Sequence, residues 1–104
     1  MTLINIETKE QFKDVIISGE SVIMIHKTEC SYCKKAKPWL EEEAKVNKSR
    51  KIATVNKDTI SDLLDAFHVK MYPTFVLIKD GVVQDIFFGD TKEDKVKEFI
   101  NKKI

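Results

Sequence analysis

Cys30 and Cys33 are the only two cysteines in the chain, and Ser31 and Tyr32 are the residues between them. A gap of two suits a reversible disulfide. If the pair opens a helix, the sulfurs lie within bonding reach and the first sits near the helix N-terminus, where backbone N–H groups and the helix dipole favour a thiolate. A thiolate there is a nucleophile. The same gap also serves as half of a zinc site. No third cysteine exists, however, and His26 and His68 lack the spacing that would complete a finger with this pair, so zinc would need a second chain. No metal is expected. The lysines Lys34, Lys35 and Lys37 can lower the Cys30 pKa and attract acidic partners, or can simply form a solvated helix face, while the carboxylate of Glu29 opposes them.

Composition bounds the frame that must hold this pair. With 104 residues, 42% of them hydrophobic, and only three glycines and two prolines, a single domain spanning residues 1–104 with its own core is expected. The formal net charge is +1 although 34% of residues are charged, and Arg50 is the sole arginine. A nucleic-acid-binding stripe is therefore not indicated, and bidentate phosphate recognition would be poorly supplied. No window has the apolar length of a membrane span. The segment Met1-Thr2-Leu3-Ile4-Asn5-Ile6-Glu7 lacks the basic stretch and apolar run of a signal peptide, so a cytoplasmic, reducing location is expected. In such a location a cysteine pair is catalytic or redox-sensing more often than structural.

Strand and helix patterns alternate along the chain with short connections. Leu3 to Ile6 reads as a strand; Thr8-Lys9-Glu10-Gln11 has the form of a capping box and precedes Phe12, Val15 and Ile16 at helical spacing, with Gly19 closing that helix. Val22-Ile23-Met24-Ile25 is a continuous apolar run, the pattern of a strand buried on both faces in the middle of a sheet. The cysteines follow directly, on a helix from Ser31 to about Asn47 that turns Ala36, Trp39, Leu40 and Ala44 inward and carries Pro38 inside it. Ile52 to Val55 reads as a strand, and Ser61 to Phe67 as a short helix started by Ser61. Thr74 to Ile78 and Val82 to Phe88 flank Asp80-Gly81 as a hairpin, and Thr91-Lys92-Glu93-Asp94 opens a last helix with Val96, Phe99 and Ile100 on its buried face.

Met71-Tyr72-Pro73-Thr74 stands just before the fourth strand, with Pro73 forty residues beyond Cys33, and a proline at that position is a candidate cis peptide site. Together these landmarks resemble the thioredoxin family. The resemblance runs from about Thr2 to Ile104 and includes the cysteine motif, Pro38 five residues after Cys33, Asn56 and Asp58 at the end of the third strand, Pro73-Thr74, Gly81 in the hairpin and Gly89 after it. It implies an α/β thioredoxin fold, a central mixed sheet of about five strands flanked by four helices. It also implies roles: Cys30 as attacking thiolate, Cys33 as resolving thiol, and Pro73 as the cis-proline whose loop lies against the disulfide and blocks metal capture. Tyr72, whose backbone would pair with an extended substrate segment, Tyr32 at the rim, Thr74 and Gly89 would form the substrate-binding surface. For Gly89 the physical reason would be close approach of substrate backbone where no Cβ stands in the way.

The departures from the family pattern are specific. Thioredoxins carry Trp before the first cysteine and Gly-Pro between the two, a buried Asp six residues before it, a Trp four before it, and a Lys in the third strand. Here those positions hold Glu29, Ser31-Tyr32, Met24, His26 and Thr54. The buried acid that helps deprotonate the resolving thiol is absent. Residues two apart in a strand share a face, so His26 lies on the side of Met24, toward the cysteine helix, and is a possible proton acceptor for Cys33; the plainer alternative is that it fills the space of the family's Trp and hydrogen-bonds backbone.

The expected activity is thiol–disulfide exchange, in the direction of reducing protein disulfides, with a redox-active Cys30/Cys33 disulfide and no bound cofactor. Partners would be disulfide-containing proteins and an electron donor, either a thioredoxin reductase or a small thiol; a monomer is expected, without nucleic acid or membrane. Two alternatives stay open. Tyr32 in Cys-x-Tyr-Cys also resembles glutaredoxin, which would use glutathione, although about twenty residues precede the strand before the cysteines and the glutathione-capping segment is reduced to Gly89-Asp90. The other alternative is a thioredoxin-like accessory protein dedicated to one partner, such as a peptide exporter.

Overall fold

In the computed structural model, which describes residues 2–89 and 91–104, five strands form one mixed sheet. The strands are β1 (Ile4–Ile6), β2 (Glu20–His26), β3 (Arg50–Asn56), β4 (Thr74–Lys79) and β5 (Val82–Phe88), in the order β1-β3-β2-β4-β5. β1 and β2 run parallel to β3, whereas β4 runs antiparallel to β2 and β5 to β4. β2 is the central strand, and the five residues Ser21 to Ile25 are all buried, as a continuous apolar run in mid-sheet requires.

Helices cover both faces. On one side α2 (Ser31–Val46) and α3 (Glu93–Ile100) bury Ala36, Leu40, Ala44, Val96 and Ile100 against Val22, Met24, Phe75 and Leu77. On the other, α1 (Lys9–Ile16) and a 3-10 helix (Lys57–Leu63) pack Phe12, Val15 and Ile60 against Ile23, Ile25 and Val76. Alternation along β2 thus sends Val22 and Met24 to one core and Ile23 and Ile25 to the other.

Local signals explain most of the boundaries. Thr8 caps α1, its hydroxyl accepting the Gln11 N–H at 3.1 Å, and the Gln11 side chain accepts the Glu7 N–H at 2.9 Å, a capping box displaced by one residue. In the β4–β5 hairpin Asp80 and Gly81 both take positive φ, 49° and 80°, as a two-residue hairpin turn demands. One element differs from the sequence expectation. Instead of a helix begun by Ser61, the chain turns immediately after β3, where the Asn56 side chain accepts the Asp58 N–H at 2.9 Å, and forms a 3-10 helix interrupted at Ile60 (φ −124°, ψ 34°). Ile60 is fully buried, and its insertion into the core competes with continuous helix geometry. Trp39, read as core, is only partly buried and packs on the margin of the α2 core.

Candidate active site

β2 ends at His26, and a four-residue loop carries the chain to α2. Cys30 is the N-cap of that helix in extended geometry, and its own Sγ accepts the Cys33 N–H at 3.2 Å while its carbonyl accepts the Lys34 N–H at 3.1 Å. The sulfur therefore occupies the position that Ser or Asp oxygen takes in an ordinary N-cap. Cys30 and Cys33 are joined in a disulfide with their Cα atoms 5.2 Å apart, and each residue is 5% exposed. On reduction, negative charge on Cys30 Sγ would meet the N–H it already faces and the positive end of the α2 dipole. Cys33, one turn further in, has no such position.

Tyr32, between the two cysteines, lines a groove of about 730 Å³ together with Lys35 and Trp39 of α2 and with Met71, Tyr72 and Gly89. The Tyr72–Pro73 peptide is cis. Thr74 is fully buried, and its hydroxyl donates to the Met71 carbonyl at 2.6 Å, so its side chain holds the proline loop and does not face the groove. Tyr32 is 57% exposed at the rim. The Lys27 ammonium sits 6.0 Å from the Tyr72 ring centroid, within range of a cation–π attraction. Gly89 takes φ 88°, and a Cβ built there would meet only Met71 Sδ at 3.9 Å, an ordinary contact. What glycine supplies at this wall of the groove is the left-handed backbone.

Lys35, Trp39 and Met71 were not foreseen as part of this surface. A signal existed for two of them: Tyr32, Lys35 and Trp39 stand at i, i+3 and i+7, one stripe of a helix. Met71 is 45% exposed and reaches the groove only through the course of its loop.

A second cleft, of about 390 Å³, is lined by both Cys30 and Cys33 together with Met24, His26, Lys37, Thr54 and Asn5, among others. Met24 and Thr54 are buried, and the Thr54 hydroxyl donates to Asn5 Oδ1 at 3.1 Å. Half-buried His26 is held below the ordinary histidine pKa of 6.5, first by burial and then by the nearby Lys37 ammonium, and a hydrogen bond with the Lys27 backbone only partly offsets them. Among the described residues no group of three or more His, Cys, Asp or Glu is placed to hold a metal ion, and no helix is long and apolar enough to cross a membrane.

A mixed sheet in this strand order, with a Cys-x-x-Cys at the N-terminus of one helix beside a cis-proline loop, defines the thioredoxin-fold class. The chain belongs to the thioredoxin family, whose sequence profile, described as Thioredoxin, matches residues 3–102. It is 32% identical to the mitochondrial thioredoxin of Mus musculus over 107 aligned positions, covering 100% of this chain and 64% of that protein. The chain thus spans somewhat under two thirds of that relative's length. Among solved structures, it is similar to the thioredoxin of Malassezia sympodialis (25% identity, TM-score 0.83, 96% of this chain and 88% of that one). It is also similar in fold to the oxidised thioredoxin of Plasmodium falciparum (21% identity, TM-score 0.85, 95% of each chain).

Proposed function

We propose that this chain is a thiol–disulfide oxidoreductase that reduces disulfides in proteins. The observation that carries the reading is Cys30 Sγ at the N-cap of α2, accepting the Cys33 N–H at 3.2 Å, with Tyr32, the residue before Cys33, lining an open groove. Cys30 thiolate attacks one sulfur of a substrate disulfide and forms a mixed disulfide, and the other substrate sulfur leaves as a thiolate that takes a proton. Cys33 then loses its proton and attacks Cys30 Sγ, which releases the second substrate thiol and leaves Cys30 bonded to Cys33. Two electrons pass from the dithiol to the substrate.

Substrate chain would lie in the groove, its backbone against Tyr72 and its side chains on Tyr32, Trp39 and Met71. No bound cofactor takes part. A thioredoxin reductase or a small thiol returns the two electrons in a reducing compartment, for which the cytoplasm is the expected setting; the mouse relative is by name mitochondrial. Reduction of a protein disulfide, followed by precipitation of insulin chains, tests the activity, with NADPH and thioredoxin reductase in one arm and glutathione with its reductase in the other. Turnover in the first arm is expected. Failure to reduce insulin or any unrelated disulfide protein in either arm would remove a general reductase and favour a protein dedicated to one partner.

A further inference from the structure

The second step above needs an acceptor for the Cys33 proton. Cys33 is 5% exposed and, with Cys30, lines the cleft of about 390 Å³. Few groups in that cleft can take a proton. β1 and β3 contribute the uncharged side chains of Asn5, Thr54 and Asn56, and β2 contributes Met24, which is inert. The loop brings Lys27 and Glu29, and α2 brings Lys34 and Lys37. The three lysines are cations that serve to stabilise a thiolate, not to receive its proton. Of the two groups that remain, an imidazole is ordinarily a stronger base than a carboxylate. Glu29 also adjoins Cys30 in sequence, whereas His26 closes β2 on the same face as Met24, which packs in one cluster with Cys33.

We propose that His26 is the proton acceptor for the resolving thiol, taking the Cys33 proton directly or through water, which a polar space of this size admits. The proposal rests on the dithiol reading given above. In balance, the Cys33 S–H proton passes to the neutral imidazole, the Cys33 thiolate attacks Cys30 Sγ, the mixed disulfide breaks, and the departing substrate thiolate leaves with the bonding pair. The imidazolium then returns its proton to that thiolate or to solvent. Lys37 has two effects. Its charge favours the thiolate that forms on Cys33, and it keeps His26 in the neutral, accepting form at neutral pH.

The two steps separate in time when the reduced protein is mixed with dithiobis(nitrobenzoate). One nitrothiobenzoate is released as Cys30 attacks and a second as Cys33 resolves. In wild type the second phase should slow as pH falls below 6.5, in the range where His26 gains a proton. His26→Phe should slow the second phase at pH 7 by roughly tenfold or more, within the usual contribution of a general base, and abolish that pH dependence. His26→Gln keeps a hydrogen-bonding side chain and should behave as His26→Phe does, which guards against a packing defect in the first variant. Lys37→Met should move the inflection upward, toward 6.5, because a neighbouring cation no longer opposes protonation. A second phase at the wild-type rate in folded His26→Phe would overturn the proposal, as would an unchanged pH profile in either His26 variant or an inflection that Lys37→Met leaves in place. Absence of the first phase in wild type would instead remove the dithiol reading on which the proposal stands.

Discussion

The two cysteines are chemically identical residues made unequal by one hydrogen bond and one helix dipole. Cys30 Sγ already accepts a backbone N–H, and Cys33, in the first turn, supplies that N–H instead of receiving one. Reduced Cys30 should therefore titrate below the value of a free thiol and below Cys33, read by alkylation rate against pH. Cys33→Ser should accumulate mixed disulfides with substrate proteins, visible on non-reducing gels, whereas Cys30→Ser should neither turn over nor trap. Equal alkylation of both thiols at neutral pH would contradict the assignment. Tyr32 offers a separate test, because at 57% exposure its ring contributes little to stability. Tyr32→Ala should leave the free energy of unfolding, measured by urea denaturation, within about 0.5 kcal/mol. It should lower kcat/KM on a protein disulfide roughly fivefold, equivalent to about 1 kcal/mol, with little effect on a small aromatic disulfide.

At the scale of elements, α2 is a helix with three faces in use. Ala36, Leu40 and Ala44 anchor it to the sheet, Tyr32, Lys35 and Trp39 form one wall of the groove proposed to take substrate, and Cys33, Lys34 and Lys37 line the cleft that also holds His26. The central position of β2 delivers its C-terminal residue and the following loop to the edge where this helix starts, so the strand and the helix dipole converge on one sulfur. Trp39 spans two of these roles, being half in the core margin and half in the groove. Trp39→Ala should thus lose stability by an amount on the order of 2 kcal/mol, as well as efficiency toward protein disulfides, measured by urea denaturation and insulin turnover; Tyr32→Ala should lose only the second.

The whole molecule is closed by Arg50, a buried cation at the start of β3. It pairs with Glu20 Oε1 at 2.8 Å, donates to the Ile100 carbonyl at 2.7 Å and also donates to the Lys102 carbonyl. One guanidinium thereby ties β2, β3 and the C-terminal end of α3, capping the Ile100 carbonyl that the helix leaves unpaired and holding the Lys102 carbonyl just beyond it. Arg50→Met should cost about 2–4 kcal/mol in urea denaturation while leaving the nitrobenzoate-release phases of the folded protein unchanged. Stability also depends on pH through His26. Its pKa is lowered in the folded state, so the unfolded chain binds the proton more readily; stability is full above 6.5 and should fall as pH drops below it. His26→Phe should flatten that slope between pH 6.5 and pH 5.5, measured as the change in urea midpoint.

Much of this was present in the linear sequence because it is local. The continuous apolar run of β2, the Thr8 cap, the Asp80-Gly81 turn and the proline before β4 each act over a few residues, and each takes the conformation its chemistry prescribes. The cysteine gap by itself fitted half of a zinc site as well; the redox reading came from the gap together with the spaced landmarks of the thioredoxin family, Pro38, Pro73-Thr74, Gly81 and Gly89. Where two local signals competed, tertiary burial decided: Asn56 started the 3-10 helix and Ile60 broke it because the core needed that side chain, and Ser61 lost its role as helix start. Thr74 and Gly89 were read from the family resemblance as substrate-binding positions. Only the fold showed that the Thr74 hydroxyl turns back to the Met71 carbonyl and that Gly89 is needed for its backbone angle. His26 and Cys33 were seven residues apart on paper. Strand alternation already turned His26 toward the cysteine helix; that the two line one cleft with Lys37, Thr54 and Asn5 depends on β1, β3 and α2 meeting around the end of β2, and proximity among those distant segments is a property of packing.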